Sequence, residues 1–318
     1  MKNKKVVVTG GAGFIGSNLV NKLVEKNYDV HIIDNLIAGP GHINKKAKLH
    51  KVSITDYKKI LPIIKGAEYV FHLAALPRVQ YSIDFPLETN SVNVNGTLNV
   101  LLAAKESKVK KLVFSASSSA YGDQDIMPLI EDMKPAPKSP YALHKYYGEL
   151  LCKLFSDIFG LPTVSLRYFN VYGPNQSAEG SYPLVIAKFL KQVKENAPMT
   201  ITGDGKQTRD FTHVYDVVRA NILAAESKTV KNGEVINIGA GKNYSIQEIA
   251  NIIGGKVKYI PARLEPKDTR ANNSKARKLL GWKPEVTLKE GINELKGILK
   301  IAKTSQIPII DLLCLKQE

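Results

Sequence analysis

A tyrosine and a lysine four residues apart form the pair of side chains best suited to chemistry in this sequence. They stand in the segment SPYALHKYYGE as Tyr141 and Lys145, and this spacing places both on one face of a helix. Ser139 suits the N-cap of that helix and Pro140 suits its first turn. An ammonium group near a phenol favours the phenolate, which can act as a general base near neutral pH. Two unrelated surface residues could also show this spacing, so further residues are needed to distinguish a catalytic pair from a chance one.

A group of serines upstream supplies hydroxyl groups for the same chemistry. The segment FSASSSAYG follows an apolar run, so its serines are expected at the carboxyl edge of a parallel sheet, where ligands of such folds bind. A serine at this edge can hydrogen-bond the oxygen that is being oxidised. Without Tyr141 and Lys145, a hydrogen-bonded turn would be the simpler explanation of the serines.

A glycine-rich turn near the N-terminus predicts a dinucleotide site. The segment VVVTGGAGFIG places Gly10, Gly13 and Gly16 between a β-branched run and an amphipathic helix. Residues without side chains permit a tight turn, let a pyrophosphate lie on the amides of the helix N-terminus, and allow close packing of helix on strand. A tight strand-to-helix turn without a ligand is the alternative.

The end of the next predicted strand indicates which dinucleotide is bound. The run DVHIID ends in Asp34, where a carboxylate can accept hydrogen bonds from an adenosine ribose. A negative charge there disfavours a 2′-phosphate, so we predict NAD rather than NADP. The alternative is a turn formed by Asp34 before Asn35.

Alternating apolar and amphipathic segments position these residues. Short β-branched runs, KVVVTG, DVHIID, YVFHLAA, KLVFSAS and TVSLRYFN, are separated by helix-like segments, and GEVINIGAG reads as a later strand. This pattern predicts a doubly wound α/β fold, a parallel Rossmann sheet with helices on both faces. Further along, we predict a helix from Leu184 to Glu195, another after Tyr244, and a final helical region from Asn273 to Ala302. These later segments suggest a smaller C-terminal α/β lobe.

Composition excludes several classes of protein. The 318 residues include 44% hydrophobic residues but no apolar span long enough to cross a membrane and no secretion signal, so we expect a cytoplasmic protein. Two cysteines and six scattered histidines provide neither a disulfide framework nor a metal site. The net charge of +16 is spread over dispersed lysines, which favours a solvated basic surface over nucleic-acid binding.

The combined motifs resemble the extended short-chain dehydrogenase/reductase family, and within it the nucleotide-sugar 4-epimerases of the UDP-glucose and UDP-N-acetylglucosamine type. The resemblance runs from about Lys4 to Leu288 and includes TGGAGFIG, HLAA, NVNGT, SASSSAYG, YALHK, RYFNVYGP, RDFTHVYDV and SKARKLLGW. It implies NAD as cofactor, a UDP-sugar as substrate and a homodimer formed through YYGELLCKLF. A helix buried within the monomer explains that last segment nearly as well. We expect residues 1–168 with 207–240 to bind NAD, and residues 169–206 with 241–318 to bind the nucleotide sugar.

The resemblance also implies three sets of site residues. The catalytic set is Ser117, Tyr141 and Lys145. The cofactor-binding set is Gly10, Gly13, Phe14, Ile15, Gly16, Asp34, Asn35, Ile54, Leu73, Ala74, Ala75, Asn93, Tyr141, Lys145 and Tyr168. The substrate-binding set is Arg78, Ser82, Ser117, Ser118, Tyr141, Asn170, Arg209, Arg263 and Thr269. Surface ion pairs are the alternative for the two arginines expected on the pyrophosphate, Arg209 and Arg263. Two segments depart from the family pattern, because Ser53 replaces an Asp before Ile54 and an RPGE-like stretch is shortened to RLEP.

By this resemblance, Tyr141 removes the proton of the sugar 4-hydroxyl while hydride leaves C4 for NAD, and the hydride returns to the other face of the 4-keto sugar. Ser117 polarises the C4 oxygen and Lys145 orients the nicotinamide ribose. Related dehydratases and decarboxylases carry carboxylates where Ser118 and Ser119 stand, which disfavours both reactions. A dehydrogenase or reductase, and a non-catalytic NAD-sensing module, stay open as alternatives.

The resemblance extends to the sugar. A bulky Tyr in the family closes the pocket to N-acetylated sugars, and Thr269 stands at that position. The segment AALPRVQYSIDFP is similar to UDP-N-acetylglucosamine 4-epimerases and places Arg78 and Ser82 near the hexose. We therefore predict that UDP-GlcNAc and UDP-GalNAc are accepted, together with UDP-glucose and UDP-galactose.

Overall fold

A computed structural model describes residues 3–39, 41–178, 184–261 and 268–301 of the chain. Strands within these ranges, in chain order, are β1 Lys5–Thr9, β2 Asp29–Asp34, β3 Lys48–Lys51, β4 Tyr69–His72, β5 Lys111–Ser117, β6 Thr163–Tyr168, β7 Val171–Tyr172, β8 Met199–Thr202, β9 Thr208–Asp210, β10 Thr212–His213, β11 Asn232–Ile238, β12 Asn243–Ser245 and β13 Val257–Ile260. Helices are α1 Phe14–Glu25, α2 Tyr57–Ile64, α3 Val79–Asp84, α4 Pro86–Asn90, α5 Gly96–Glu106, α6 Pro140–Phe159, α7 Val185–Lys194, α8 Val214–Glu226, α9 Ile246–Ile253, α10 Ser274–Leu280 and α11 Leu288–Ile298. A π-helical turn, Ser91–Asn95, joins α4 to α5, and a 3₁₀ turn, Ser118–Tyr121, follows β5.

Seven parallel strands form the central sheet, in the spatial order β11, β6, β5, β4, β1, β2, β3. Strand β1 shows why the sheet needs cover on both faces, because successive side chains point to opposite sides and those of residues 6–9 are all buried. Val6 and Val8 pack into the core that includes α1 and α8, whereas Val7 packs into the core formed with α2, α5 and α6. The predicted doubly wound α/β fold is confirmed.

A smaller hydrophobic core lies around α7, α9 and α11. It contains Phe189 and Ile249, both fully buried, and the short parallel pair β8 with β13 borders it. Helix α7 begins and ends within one residue of its predicted bounds. Helix α10 belongs to the other core, where Ala276 and Trp282 pack with α8 against the central sheet. The division of the chain into two ligand-binding lobes stays a prediction, and later segments do return to the large sheet.

Strand β3 and the two-stranded pairs were not predicted from the sequence. The β3 segment, KLHK, is polar and mostly exposed because it lies at the edge of the sheet. It therefore lacks the apolar run that marks the buried strands. Among the described residues, no helix is long and apolar enough to cross a bilayer.

Candidate cofactor and active site

The glycine turn after β1 has the geometry of a cradle that side chains would fill. Gly10 adopts φ +70°, a left-handed conformation that glycine reaches without strain, and its amide donates to the Ile33 carbonyl at 2.9 Å. A Cβ on Gly16 would lie 2.0 Å from the Gly10 carbonyl oxygen. Glycine at positions 10 and 16 therefore lets α1 start directly against the end of β1.

The first turn of α1 keeps its amides free of side-chain caps. Gly13 is the N-cap residue, and no side chain in the described part of the chain accepts a hydrogen bond from the helix start. Phe14 and Ile15 are half-buried beside it. Unsatisfied amides and the positive end of the helix dipole suit a pyrophosphate, so this cradle fits the predicted dinucleotide.

Asp34 connects the end of β2 to the glycine turn. One carboxylate oxygen accepts the Ala12 amide at 3.0 Å, and the other accepts the Leu36 amide at 2.8 Å. Since a carboxylate has about four acceptor positions, it retains capacity for the hydroxyls of a ribose. The neighbouring Asn35 is exposed and accepts the Ile37 amide at 3.2 Å.

The segment after β4 lies against the glycine turn. Leu73, Ala74 and Ala75 are half-buried, and a Cβ on Gly10 would meet the Ala74 nitrogen at 2.7 Å. Asn93, in the π-helical turn, accepts the Leu76 amide at 2.8 Å and donates to the Leu76 carbonyl at 3.1 Å. Ile54 is buried farther along the sheet, where its carbonyl accepts from Asn99 at 3.1 Å.

A buried histidine that was not predicted to belong to the site holds this segment in place. His72 Nε2 lies 2.9 Å from the Thr97 hydroxyl, which itself donates to the Asn93 carbonyl, so His72 carries its proton on Nε2. His72 Nδ1 then accepts from Thr9 at 2.7 Å, and Thr9 accepts the Ala74 amide at 3.2 Å. Burial lowers the pKa of His72 to about 3, which keeps the ring neutral. The chain of hydrogen bonds fixes the segment after β4 from both sides.

The predicted catalytic residues come together where β5 ends and α6 begins. As predicted, Ser139 caps α6 by accepting the Ala142 amide at 3.2 Å, and Pro140 occupies the first turn. Ser117 is the last residue of β5, and its hydroxyl is close enough to the Tyr141 phenol to lower the pKa of that phenol. Lys145 lies one turn after Tyr141 on α6, and its ammonium donates to the Ser115 carbonyl at 2.7 Å.

The electrostatics of this centre differ in one respect from the sequence expectation. Burial raises the pKa of Tyr141, and the hydrogen bond from Ser117 opposes this shift. Burial also lowers the pKa of Lys145 to about 8, against the effect of the nearby Glu149 carboxylate. Burial, rather than the Lys145 charge, therefore dominates the pKa of Tyr141.

An ion pair lies beneath Lys145 that the sequence analysis missed. Glu149 accepts two hydrogen bonds from Arg167, at 2.9 and 2.7 Å, and both side chains are at most 3% exposed. The Arg167 guanidinium stacks 4.5 Å from the centre of the Tyr121 ring. The i, i+4 spacing of Lys145 and Glu149 was the available signal, since it places both on one helix face.

Two predicted substrate residues contact each other. Asn170 donates to the Thr269 hydroxyl at 3.4 Å, and both are half-buried. Asp210 holds this region together by accepting amides from Ala240, Gly241 and Ala271, each at 2.9 Å. Burial nevertheless raises the pKa of Asp210 to about 6. Its neighbour Arg209, half-buried, donates to the Thr208 carbonyl at 2.9 Å.

The remaining predicted residues occupy different environments. Tyr168 is buried and donates to Asn221 at 3.0 Å. Arg78 and Ser118 are half-buried near the ends of α3 and β5. Arg263 lies outside the described residues, as does the apolar tail of the chain.

Ser82, expected on the hexose, supports the first turn of α6. Its side chain is fully buried, and its hydroxyl accepts the Tyr141 amide at 3.0 Å and donates to the Val79 carbonyl at 2.6 Å. Its contact with the hexose stays a prediction.

Known proteins are similar to this chain in both sequence and architecture. The model of the NAD dependent epimerase/dehydratase family matches residues 6–239. UDP-N-acetylglucosamine 4-epimerase from Methanobrevibacter ruminantium, solved with UDP-N-acetylmuramic acid, is 38% identical, with 94% of this chain and all of that chain covered and a TM-score of 0.86. UDP-glucose 4-epimerase from Thermotoga maritima, solved with UDP-glucose, is 36% identical over 93% of this chain and 99% of that chain, with a TM-score of 0.87.

A third relative performs a different reaction. The UDP-N-acetyl-alpha-D-glucosaminuronate decarboxylase of Bacillus cytotoxicus is 33% identical over 92% of this chain and 96% of its own length. The family match spans well over half of the chain, and the relatives are covered almost completely. The chain therefore belongs to the NAD-dependent epimerase/dehydratase family, as an enzyme of the UDP-sugar 4-epimerase kind that uses NAD.

Proposed function

We propose that this chain is a 4-epimerase of UDP-hexoses that accepts UDP-GlcNAc and UDP-GalNAc as well as UDP-glucose and UDP-galactose. The observation that carries the proposal is the convergence of Ser117, Tyr141 and Lys145 beside a glycine cradle that fits a dinucleotide. NAD, when bound, supplies a reversible hydride acceptor for C4 of the sugar. The chain itself must bind the nucleotide, orient the sugar, and move one proton.

Tyr141 is the group that takes and returns the proton of the sugar 4-hydroxyl in this proposal. Ser117 lies near enough to lower the pKa of this phenol, so in this proposal its hydroxyl serves both the phenol and the sugar oxygen. Because burial alone raises the pKa of Tyr141, the phenolate needs positive charge from the filled site and from Lys145. Catalytic competence should therefore depend on cofactor occupancy.

The predicted width of the pocket depends on Thr269. This side chain is small and accepts a hydrogen bond from Asn170, and a tyrosine at this position would need more room. The 38% identical Methanobrevibacter enzyme is a UDP-GlcNAc 4-epimerase, which supports an open pocket. Replacing Thr269 with Tyr should remove turnover of UDP-GlcNAc while UDP-glucose turnover is largely retained. Equal loss on both sugars would refute the role of Thr269 as a size filter, and Thr269→Ser is the control for a generic disturbance.

Decarboxylation is the alternative supported by a specific relative. The Bacillus cytotoxicus enzyme acts on a uronic acid, and such a reaction is disfavoured here because Ser118 and Ser119 replace the carboxylates expected of decarboxylases. Incubation with UDP-glucuronate and UDP-N-acetylglucosaminuronate, with separation of pentose and hexose products, distinguishes the reactions. Pentose formation would overturn the epimerase assignment.

We further propose a homodimer formed through α6. Along this helix, residues at i, i+4, i+7, i+11 and i+15 form an apolar stripe in which every member is 43–64% exposed: Leu143, Tyr147, Leu150, Leu154 and Ile158. Such a stripe suits a second copy of itself about a twofold axis. Sedimentation should give a dimer for the wild type and a monomer for Leu150→Glu, whereas Ile298→Glu, at an exposed position of α11, should leave the dimer intact. A monomeric wild type would refute the proposal.

A further inference from the structure

The turn after β5 contains a directed pair of serine hydroxyls. Ser119 Oγ donates a hydrogen bond to Ser117 Oγ at 2.8 Å, and the Ser119 amide donates to the same oxygen at 3.2 Å. Ser117 Oγ thus accepts twice, and a hydroxyl oxygen has two acceptor positions. Its own proton is left to be donated, and the Tyr141 phenol is near enough for Ser117 to lower its pKa.

The direction of this chain of hydrogen bonds matters for the reaction. If the Ser117 proton pointed away from Tyr141, the Ser117 oxygen would accept a hydrogen bond from the phenol and favour the neutral phenol. If Ser117 donates its proton instead, it stabilises negative charge on the oxygen that it contacts. The same donation would stabilise negative charge developing on the C4 oxygen of a bound sugar. Orientation of one proton therefore decides whether Ser117 assists or opposes proton removal.

We propose that Ser119 is a positioning residue, whose hydroxyl donates to Ser117 and thereby directs the Ser117 proton toward the reacting oxygen. This inference rests on the proposed function, because it assigns Ser119 a part in the proton transfer at Tyr141. The 3₁₀ turn Ser118–Tyr121 fixes the two serines relative to each other, and Ser119 is half-buried within it. An ionised carboxylate at position 119 could only accept hydrogen bonds, so the residue type at this position sets the direction of the hydrogen bonds through Ser117.

Removal of the Ser119 hydroxyl is a selective perturbation. In Ser119→Ala, the backbone amide of residue 119 still donates to Ser117, so the cap of the turn is retained. Ser119→Thr keeps a hydroxyl donor and is the matched control. We expect Ser119→Ala to lower kcat on UDP-GlcNAc or UDP-glucose roughly fivefold at neutral pH, the effect of one hydrogen bond, with little change in KM.

The pH profile separates this role from a structural one. In Ser119→Ala, the rising limb of kcat should move roughly 0.7 pH unit toward alkaline pH, the same fivefold factor on a logarithmic scale, and Ser119→Thr should restore it. A merely structural residue would lower thermal stability or NAD content without moving the limb. An unchanged limb in Ser119→Ala would overturn the inference.

A second measurement works without turnover. Absorbance titration of the phenols in cofactor-free protein, with Tyr141→Phe as the reference, should show the Tyr141 phenolate forming at higher pH in Ser119→Ala than in the wild type. If the wild type converts neither sugar, the proposed function fails, and this titration still decides the role of Ser119. Identical titrations of wild type and Ser119→Ala would refute it.

Discussion

Replacing Gly16 with Ala should disrupt the cofactor cradle through a backbone clash. The added Cβ would lie 2.0 Å from the Gly10 carbonyl oxygen and 2.8 Å from the Gly11 Cα, whereas ordinary contacts begin at 3.4 Å. Helix and turn must separate by more than ~1 Å at this point, because no flexible side chain can move aside. Overpacking of this kind typically costs about 1–3 kcal/mol, and a clash with backbone belongs at the upper end.

The clash has two measurable consequences. Destabilisation of about 3 kcal/mol should lower the Tm by roughly 4–5 °C, and a cradle opened by ~1 Å should weaken NAD binding by about a hundredfold or more. Calorimetry and titration of NAD into cofactor-free protein measure both quantities.

Gly297→Ala is the matched control for the Gly16 variant. Gly297 is also helical, and none of the described residues has an atom within 4 Å of an added Cβ. The control should stabilise the protein slightly, by about 0.5–1 kcal/mol, through its higher helix propensity. Unchanged NAD affinity and Tm in Gly16→Ala would refute the proposed close approach of α1 and β1.

Two further predictions concern buried charge. Glu149→Gln should leave the Arg167 guanidinium without a counter-ion in a site at most 3% exposed, and urea unfolding should show a loss of about 3–5 kcal/mol in stability. Asp157→Asn, in an exposed ion pair on the same helix, should cost less than about 1 kcal/mol in the same assay. Equal losses in the two variants would contradict the burial argument. For His72, whose pKa is lowered to about 3 by burial, the unfolded chain binds a proton between pH 6.5 and 3 that the folded chain excludes. Stability should therefore fall with decreasing pH by about 1.4 kcal/mol per unit below pH 6.5, and His72→Asn should remove that part of the slope, whereas His42→Asn at an exposed site should not. An identical acid slope in His72→Asn would refute this account.

Features governed by local sequence were predicted well. The glycine turn, the buried parallel strands and the cap of α6 each depend on a few neighbouring residues, and the structure reproduces Ser139 and Pro140 in their predicted places. Helix α7 was likewise bounded correctly because its apolar face has a clear helical period. The edge strand β3 was missed because its exposed KLHK residues need no apolar run.

Features that depend on three-dimensional neighbours could not be read from the sequence. The Glu149 pair requires that α6 lie over β6, and the Ser82 contact requires α3 to pack beneath the start of α6. The sequence placed a lysine near Tyr141, but the extent of burial, which determines the pKa of the phenol, follows only from the assembled fold. The direction of the bond from Ser119 to Ser117 also depends on the 3₁₀ turn that brings the two hydroxyls together.

The most direct test of the central claim is chromatographic separation of C4 epimers after incubation of the protein with UDP-GlcNAc and, separately, with UDP-glucose. The wild type should convert both sugars, and Tyr141→Phe should lose at least about a hundredfold of that activity, because a positioned general base contributes on this scale. Absence of epimers even with NAD supplied, or wild-type turnover by Tyr141→Phe, would contradict the proposed UDP-sugar 4-epimerase reaction.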